Sequence, residues 1–172
     1  MVLSQKQWRN YFLFSLGVFL GTTFCMKWLE TRFYYQGELF TIIGLEISYP
    51  AERVMDILYQ SGAAEQTLLK AHLFFDFVFM AGAYGGILSL LMMARSRLHS
   101  QWFSKVLGIL AVGQLIAWGC DIRENMYLLD WLRHKPDLRP YFSTYHFVVI
   151  VKWVLALSGS LLSIPVLLLK RK

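Results

Sequence analysis

The sequence predicts an all-α protein, a transmembrane four-helix bundle, and three observations carry that reading. Of the 172 residues, 56% are hydrophobic and only 16% are charged, whereas soluble domains carry roughly 25% charged residues. Four apolar runs reach the length of about 20 residues that a helix needs to cross the hydrocarbon. The charged residues inside those runs recur at helical spacing, as expected of groups turned inward from lipid. A chain of this length holds one domain, so residues 1–172 read as a single integral membrane unit. Lipid offers no partner to an unpaired backbone amide, which makes helices the expected spans.

The first run, about Tyr11–Trp28, follows Lys6 and Arg9. After Phe24 the chain continues Cys-Met-Lys-Trp-Leu-Glu instead of a small-residue cleavage site, so this run is expected to stay as an anchor. The outer connection carries Phe40-Thr-Ile-Ile-Gly-Leu-Glu-Ile-Ser, too apolar for a solvated loop and too short to span. It is expected to lie at the interface or to fold over the outer mouth of the bundle. Pro50 then suits the first position of a helix, and Val54, Ile57 and Leu58 recur at helical spacing before Gly62. A short amphipathic helix is therefore expected in the outer segment, about residues 40–61. The remaining runs are about Ala71–Ala94, Val106–Leu129 and Tyr141–Leu169, the last long enough to tilt or emerge.

Basic residues flank the runs at Lys6 and Arg9, at Arg95, Arg97 and Lys105, and at Lys170, Arg171 and Lys172. By the positive-inside tendency these belong to the cytoplasm, and the acidic connection with Glu30, Glu38, Glu46, Glu52, Asp56 and Glu65 belongs outside. The expected location is a bacterial inner membrane with both termini cytoplasmic, although Arg133, Lys135 and Arg139 run against that orientation. Trp8, Tyr11, Trp28, Tyr34, Tyr35, Trp102, Trp131 and Tyr141 mark the boundaries as an aromatic belt, and the deeper Trp118 and Trp153 read as packing residues. The net charge of +6 lies beside the apolar runs instead of along one face, which argues against a nucleic-acid partner and for anionic lipid headgroups. Cys25 and Cys120 show no ligand spacing and read as small packing residues.

Charged side chains cost roughly 2.5 to 3.5 kcal/mol each at a span's centre, so they persist mainly when paired. His72 and Asp76 share a face at i, i+4, and Asp121, Glu124 and Asn125 share one at i, i+3, i+4. Tyr145 and Lys152 share a face in the fourth run, with His146 adjacent. Under the expected topology these residues all fall in the outer half, with Thr22, Thr23, Lys27 and Glu30 at matching depth. One reading is a buried ion-pair network with Lys152 as hub, joined by Arg123. Another is an outward-facing polar pocket binding a lipid or other amphiphile, or a membrane assembly partner or homo-oligomer. The catalytic alternative is an intramembrane acid/base enzyme, isomerase- or hydrolase-like, acting on a lipid or isoprenoid through Asp76, Asp121 or Glu124. A metal site built from His72, Asp76, Glu124 and His146 is disfavoured by Lys152 and by the missing ExxH pairs, so no metal or cofactor is expected. Ser143 and Ser158 lack a nucleophile elbow.

The order of these features, an acidic amphipathic segment, Asp76-Phe-Val-Phe, Asp121-Ile-Arg-Glu-Asn125 and an intramembrane Lys152, resembles a group of uncharacterised bacterial four-span membrane proteins. The resemblance covers about Thr41 to Trp153. That group has a Leu-Glu before a short helix, an Asp-Phe at the start of the second span and an Asp-x-x-Glu-Asn late in the third. It implies the four-span fold and no activity. The architecture is also similar to the four- and five-span sterol-isomerase and sigma-receptor-like proteins, which place carboxylates in an intramembrane ligand pocket; no motif transfers residue by residue.

Overall fold

The computed structural model describes residues 3–168, and 84% of it is helical. Ser4 opens α1 (Gln5–Glu30) with a capping box: its hydroxyl accepts from Gln7 N–H at 3.3 Å, and Gln7 Oε1 accepts from Ser4 N–H at 2.8 Å. A small hairpin follows, β1 (Tyr34–Tyr35) paired with β2 (Glu38–Leu39). Gln36 and Gly37 both take positive φ in its two-residue turn, the geometry that matches the twist of the flanking strands. One π-helical turn, Gly44–Ser48, is closed by Tyr49 N–H donating to Gly44 O at 2.8 Å.

Next come α2 (Ala51–Gln60), α3 (Ala63–Arg95), α4 (Gln101–His134) and α5 (Arg139–Leu168). Pro50 has extended backbone and precedes α2, one position earlier in the helix register than its sequence suggested. The four expected spans fall inside α1, α3, α4 and α5, except Leu169, which lies with Lys170, Arg171 and Lys172 outside the described residues. Helices of 26, 33, 34 and 30 residues are long and apolar enough to cross a membrane. At 1.5 Å per residue they run about 40–50 Å, so their ends project beyond a hydrocarbon layer of about 30 Å. Leu13, Phe14, Phe24, Ile109, Val112, Phe147, Ile150 and Leu161 stand exposed around them, the apolar belt lipid requires.

The long helices alternate in direction. Hairpin, π turn and α2 therefore gather at one end, the capped end, between Glu30 and Ala63. α3 is the central helix, packing along α1, α4 and α5, and α4 also packs along α5; α1 has no comparable interface with α4 or α5. Gly82 allows the α1–α3 approach, since a Cβ there would lie 2.7 Å from Phe19 N and 3.0 Å from Ser15 O. Small residues at such crossings let backbones meet where lipid supplies no hydrophobic drive.

The largest apolar core lies at the capped end, where Phe33, Phe40, Leu45, Val54, Ile57 and Leu58 pack against Leu128, Trp131, Leu138 and Tyr145. α2 also grips the α4–α5 turn: Tyr59 Oη donates to Pro136 O at 2.6 Å and Lys135 Nζ donates to Tyr59 O at 2.9 Å. Burial, with Asp137 and Asp130 nearby, pushes the Tyr59 phenol up to about 12, so it remains a donor at neutral pH. The apolar segment, expected to lie at the interface or to fold over one mouth of the bundle, packs over one end as a cap.

Gly82→Ala places a methyl against backbone that cannot rotate away, and is expected to destabilise the bundle by about 1–3 kcal/mol. Thermal unfolding in detergent measures this, and cysteine accessibility along α1 reports whether the loss comes from α1 leaving α3.

Candidate functional site

Lys152 projects from the middle of α5 and is buried. Its Nζ lies 2.8 Å from Asp121 Oδ1, 2.6 Å from Glu124 Oε2 and 3.3 Å from Glu46 Oε2. The two α4 carboxylates reach it together because three residues along a helix return to one face. Glu46 arrives from the π turn, and its Oε2 also accepts from Trp153 Nε1 at 3.2 Å. Asp121 Oδ2 accepts from Tyr84 Oη of α3 at 2.8 Å, which joins a fourth element. Asp76 stands differently: it makes no ion pair with Lys152, and its Oδ2 accepts from Asn125 Nδ2 at 2.7 Å.

A second group lies closer to the hairpin. Glu30 Oε2 accepts from Lys27 Nζ at 2.5 Å, and its Oε1 is 3.6 Å from His72 Nε2. The imidazole is 1% exposed, stands 5.5 Å from the Phe33 ring, and neither ring nitrogen has a hydrogen-bond partner.

Both groups border one cavity of about 340 Å³ beneath the π turn. Its ionisable wall is Lys27, Glu30, Glu46, His72, Asp76, Asp121 and Lys152. Its apolar wall is Phe19 from α1, Phe79, Ala83 and Ile87 from α3, and Ala156 and Leu157 from α5. α1 and α5 thus both line the space without packing along each other.

The structure brings Asp121, Glu124 and Lys152 into contact, joins Asp76 to Asn125, and sets His72 on the same cavity. Three expected members fall elsewhere. His146 is half-buried against the Phe142 ring at 5.5 Å, because its position next to Tyr145 turns it to a different side of α5. Tyr145 packs among Trp131, Tyr127 and Phe142, with Oη 3.5 Å from Leu45 O, and so supports the cap. Arg123 is exposed, 4.5 Å over the Tyr127 ring, and does not join the cluster. Trp153, read as packing, is a donor to Glu46 and borders the cavity.

Glu46, Tyr84 and Gln114 were not expected as site residues, and Glu46 reads from the sequence only as part of the acidic connection. Gln114 is buried midway along α4, where Nε2 donates to Leu155 O at 3.0 Å across the α4–α5 contact. A Glu within an otherwise apolar loop segment was the available signal for Glu46, and a phenol about two helical turns from Asp76 on the same span was the signal for Tyr84. Among the described residues, no group of three or more His, Cys, Asp and Glu side chains is arranged to hold a metal ion.

Four apolar helices of spanning length, with Asp76, Asp121, Glu124 and Lys152 buried between them, define a multi-pass membrane protein. Neither a protein-family model, nor a curated protein, nor a solved structure gives a significant match to this chain.

Removing one member of a buried ion cluster leaves the others uncompensated, so Lys152→Met is expected to lower stability by about 3–5 kcal/mol. Combining it with Asp121→Asn recovers part of that loss, and a double-mutant cycle of unfolding free energies in detergent measures the coupling.

Proposed function

We propose that this protein binds an amphiphile, its polar head under the cap and its chain against the apolar wall between α1 and α5. The observation that carries the reading is the two-sided cavity, ionisable toward the π turn and apolar along Phe19, Phe79, Ile87 and Leu157. Its volume is within the range of about 300–1,000 Å³ common to ligand pockets. Access from the bilayer is reasonable between α1 and α5, since those helices share the cavity without an extended interface.

The proposed setting is a bacterial inner membrane, capped end outward and both termini cytoplasmic. Charge distribution supports it. No Asp or Glu occurs before Glu30, between Phe77 and Cys120, or after Asp137, so the uncapped end carries Lys6, Arg9, Arg95, Arg97 and Lys105 without a carboxylate. At the capped end, several basic groups are paired: Lys27 with Glu30, Arg53 with Glu38 and Arg139 with Asp137.

Ala156→Phe fills the apolar half of the cavity away from the ion cluster. Native mass spectrometry of protein released from nanodiscs is expected to show a bound amphiphile on the wild type and its loss from this variant. An equally occupied variant, or a wild type with no bound mass, overturns the reading.

One observation favours a second reading, acid/base catalysis on a lipid or isoprenoid. Asp76 borders the cavity and is held by a neutral amide, not by a cation, as a group that exchanges protons with a ligand would be. Asp76→Asn then reduces turnover of such a substrate by about 10²–10⁴-fold. Unchanged turnover in a folded variant removes Asp76 from the chemistry.

A further inference from the structure

Resting on the amphiphile reading, we propose that the head recognised by this cavity is a protonated primary amine, and that anionic heads are excluded. Four cavity carboxylates, Glu30, Glu46, Asp76 and Asp121, face two lysines, Lys27 and Lys152. Lys152 is not free for a phosphate or carboxylate ligand, and Lys27 stands at the exposed rim of the cavity. An ammonium has three N–H donors, and Lys152 meets three carboxylates within 3.3 Å, Glu124 from behind the cavity wall included. Lys27 is held by Glu30 and its side chain is 60% exposed, away from the buried end.

Acceptors, by contrast, remain open. Asp76 uses Oδ2 for Asn125, and Glu46 uses Oε2 for Trp153 and Lys152, so Oδ1 and Oε1 accept no hydrogen bond among the described residues. His72 borders the same cavity beside Glu30, with Nε2 3.6 Å from Glu30 Oε1, and is not an open acceptor. A primary ammonium supplies N–H donors to Asp76 Oδ1 and Glu46 Oε1 and offsets the local excess of carboxylates, which a hydroxyl head cannot do. An anionic head at the Lys152 end meets like charges with every ammonium donor there already engaged, and like-charge juxtaposition in a desolvated site disfavours binding.

The test compares three probes with the same chain, dodecylamine, dodecanol and dodecyl phosphate, each titrated at equal mole fraction into full-length protein in a neutral maltoside. Native mass spectrometry reads occupancy and thermal unfolding reads the shift. The expected result is binding of the amine about tenfold or more tighter than the alcohol, with no bound phosphate. Asp76→Asn weakens amine binding more than alcohol binding, because the amide keeps an acceptor oxygen and loses the charge; should that variant fail to fold, Glu30→Gln tests the same dependence at the other end of the cavity. If no probe binds, the amphiphile reading fails and this inference with it. If alcohol or phosphate binds as tightly as the amine, the pocket stands and the amine head is overturned. Nanodiscs identify the source of the amine: retention of phosphatidylethanolamine over phosphatidylglycerol points to a lipid headgroup, whereas dodecylamine binding without it points to a free alkylamine.

Discussion

The ammonium of Lys152 among Asp121, Glu124 and Glu46 is the constraint on which the arrangement of this bundle depends. A lysine in the body of a spanning helix is tolerable only when turned inward and paired. The partners come from α4 and from the π turn, and Tyr84 of α3 adds its hydroxyl to Asp121. One ammonium therefore sets the rotation of α5 against α4, the depth to which the cap descends, and the face that α3 presents. Any other rotation strands a charge in hydrocarbon.

The two ends of the bundle are held by different physics. The cap lies where water is available, and its aromatic and aliphatic side chains cluster as in a soluble core, around Phe33, Phe40, Trp131 and Leu138. Within the bilayer, chain burial gains little because lipid is as apolar as leucine, so small residues and polar contacts hold the helices. Gly82 against α1 and Gln114 across to Leu155 O are that kind of contact. α1 is attached along α3 alone, and that one-sided attachment leaves the space between α1 and α5 unfilled.

That space has an uneven charge balance. A network built only to satisfy itself would match donors to acceptors, whereas this one surrounds one saturated lysine with carboxylates and leaves Asp76 Oδ1 and Glu46 Oε1 open. The proposed ammonium head would offset that asymmetry. It connects the cap, which closes the polar end, with the loosely attached α1, which borders the apolar end.

Much of the frame was legible in the sequence alone. Four spans follow from apolar length, because a backbone in lipid must satisfy its own hydrogen bonds. The face shared by Asp121 and Glu124, and the short amphipathic helix at Val54, Ile57 and Leu58, follow from helical period. The hairpin at Gln36-Gly37 and the descent of Glu46 onto Lys152 did not, since both depend on how an irregular segment packs over helices already assembled. Helix rotation was also undetermined: adjacency to Tyr145 placed His146 near the cluster in sequence, and 100° of turn placed it against Phe142 in space. Period and length act within one segment and can be read from it. The meeting of Lys152 with three carboxylates, and the cavity beside them, were decided by contacts between segments, which exist only in the folded chain.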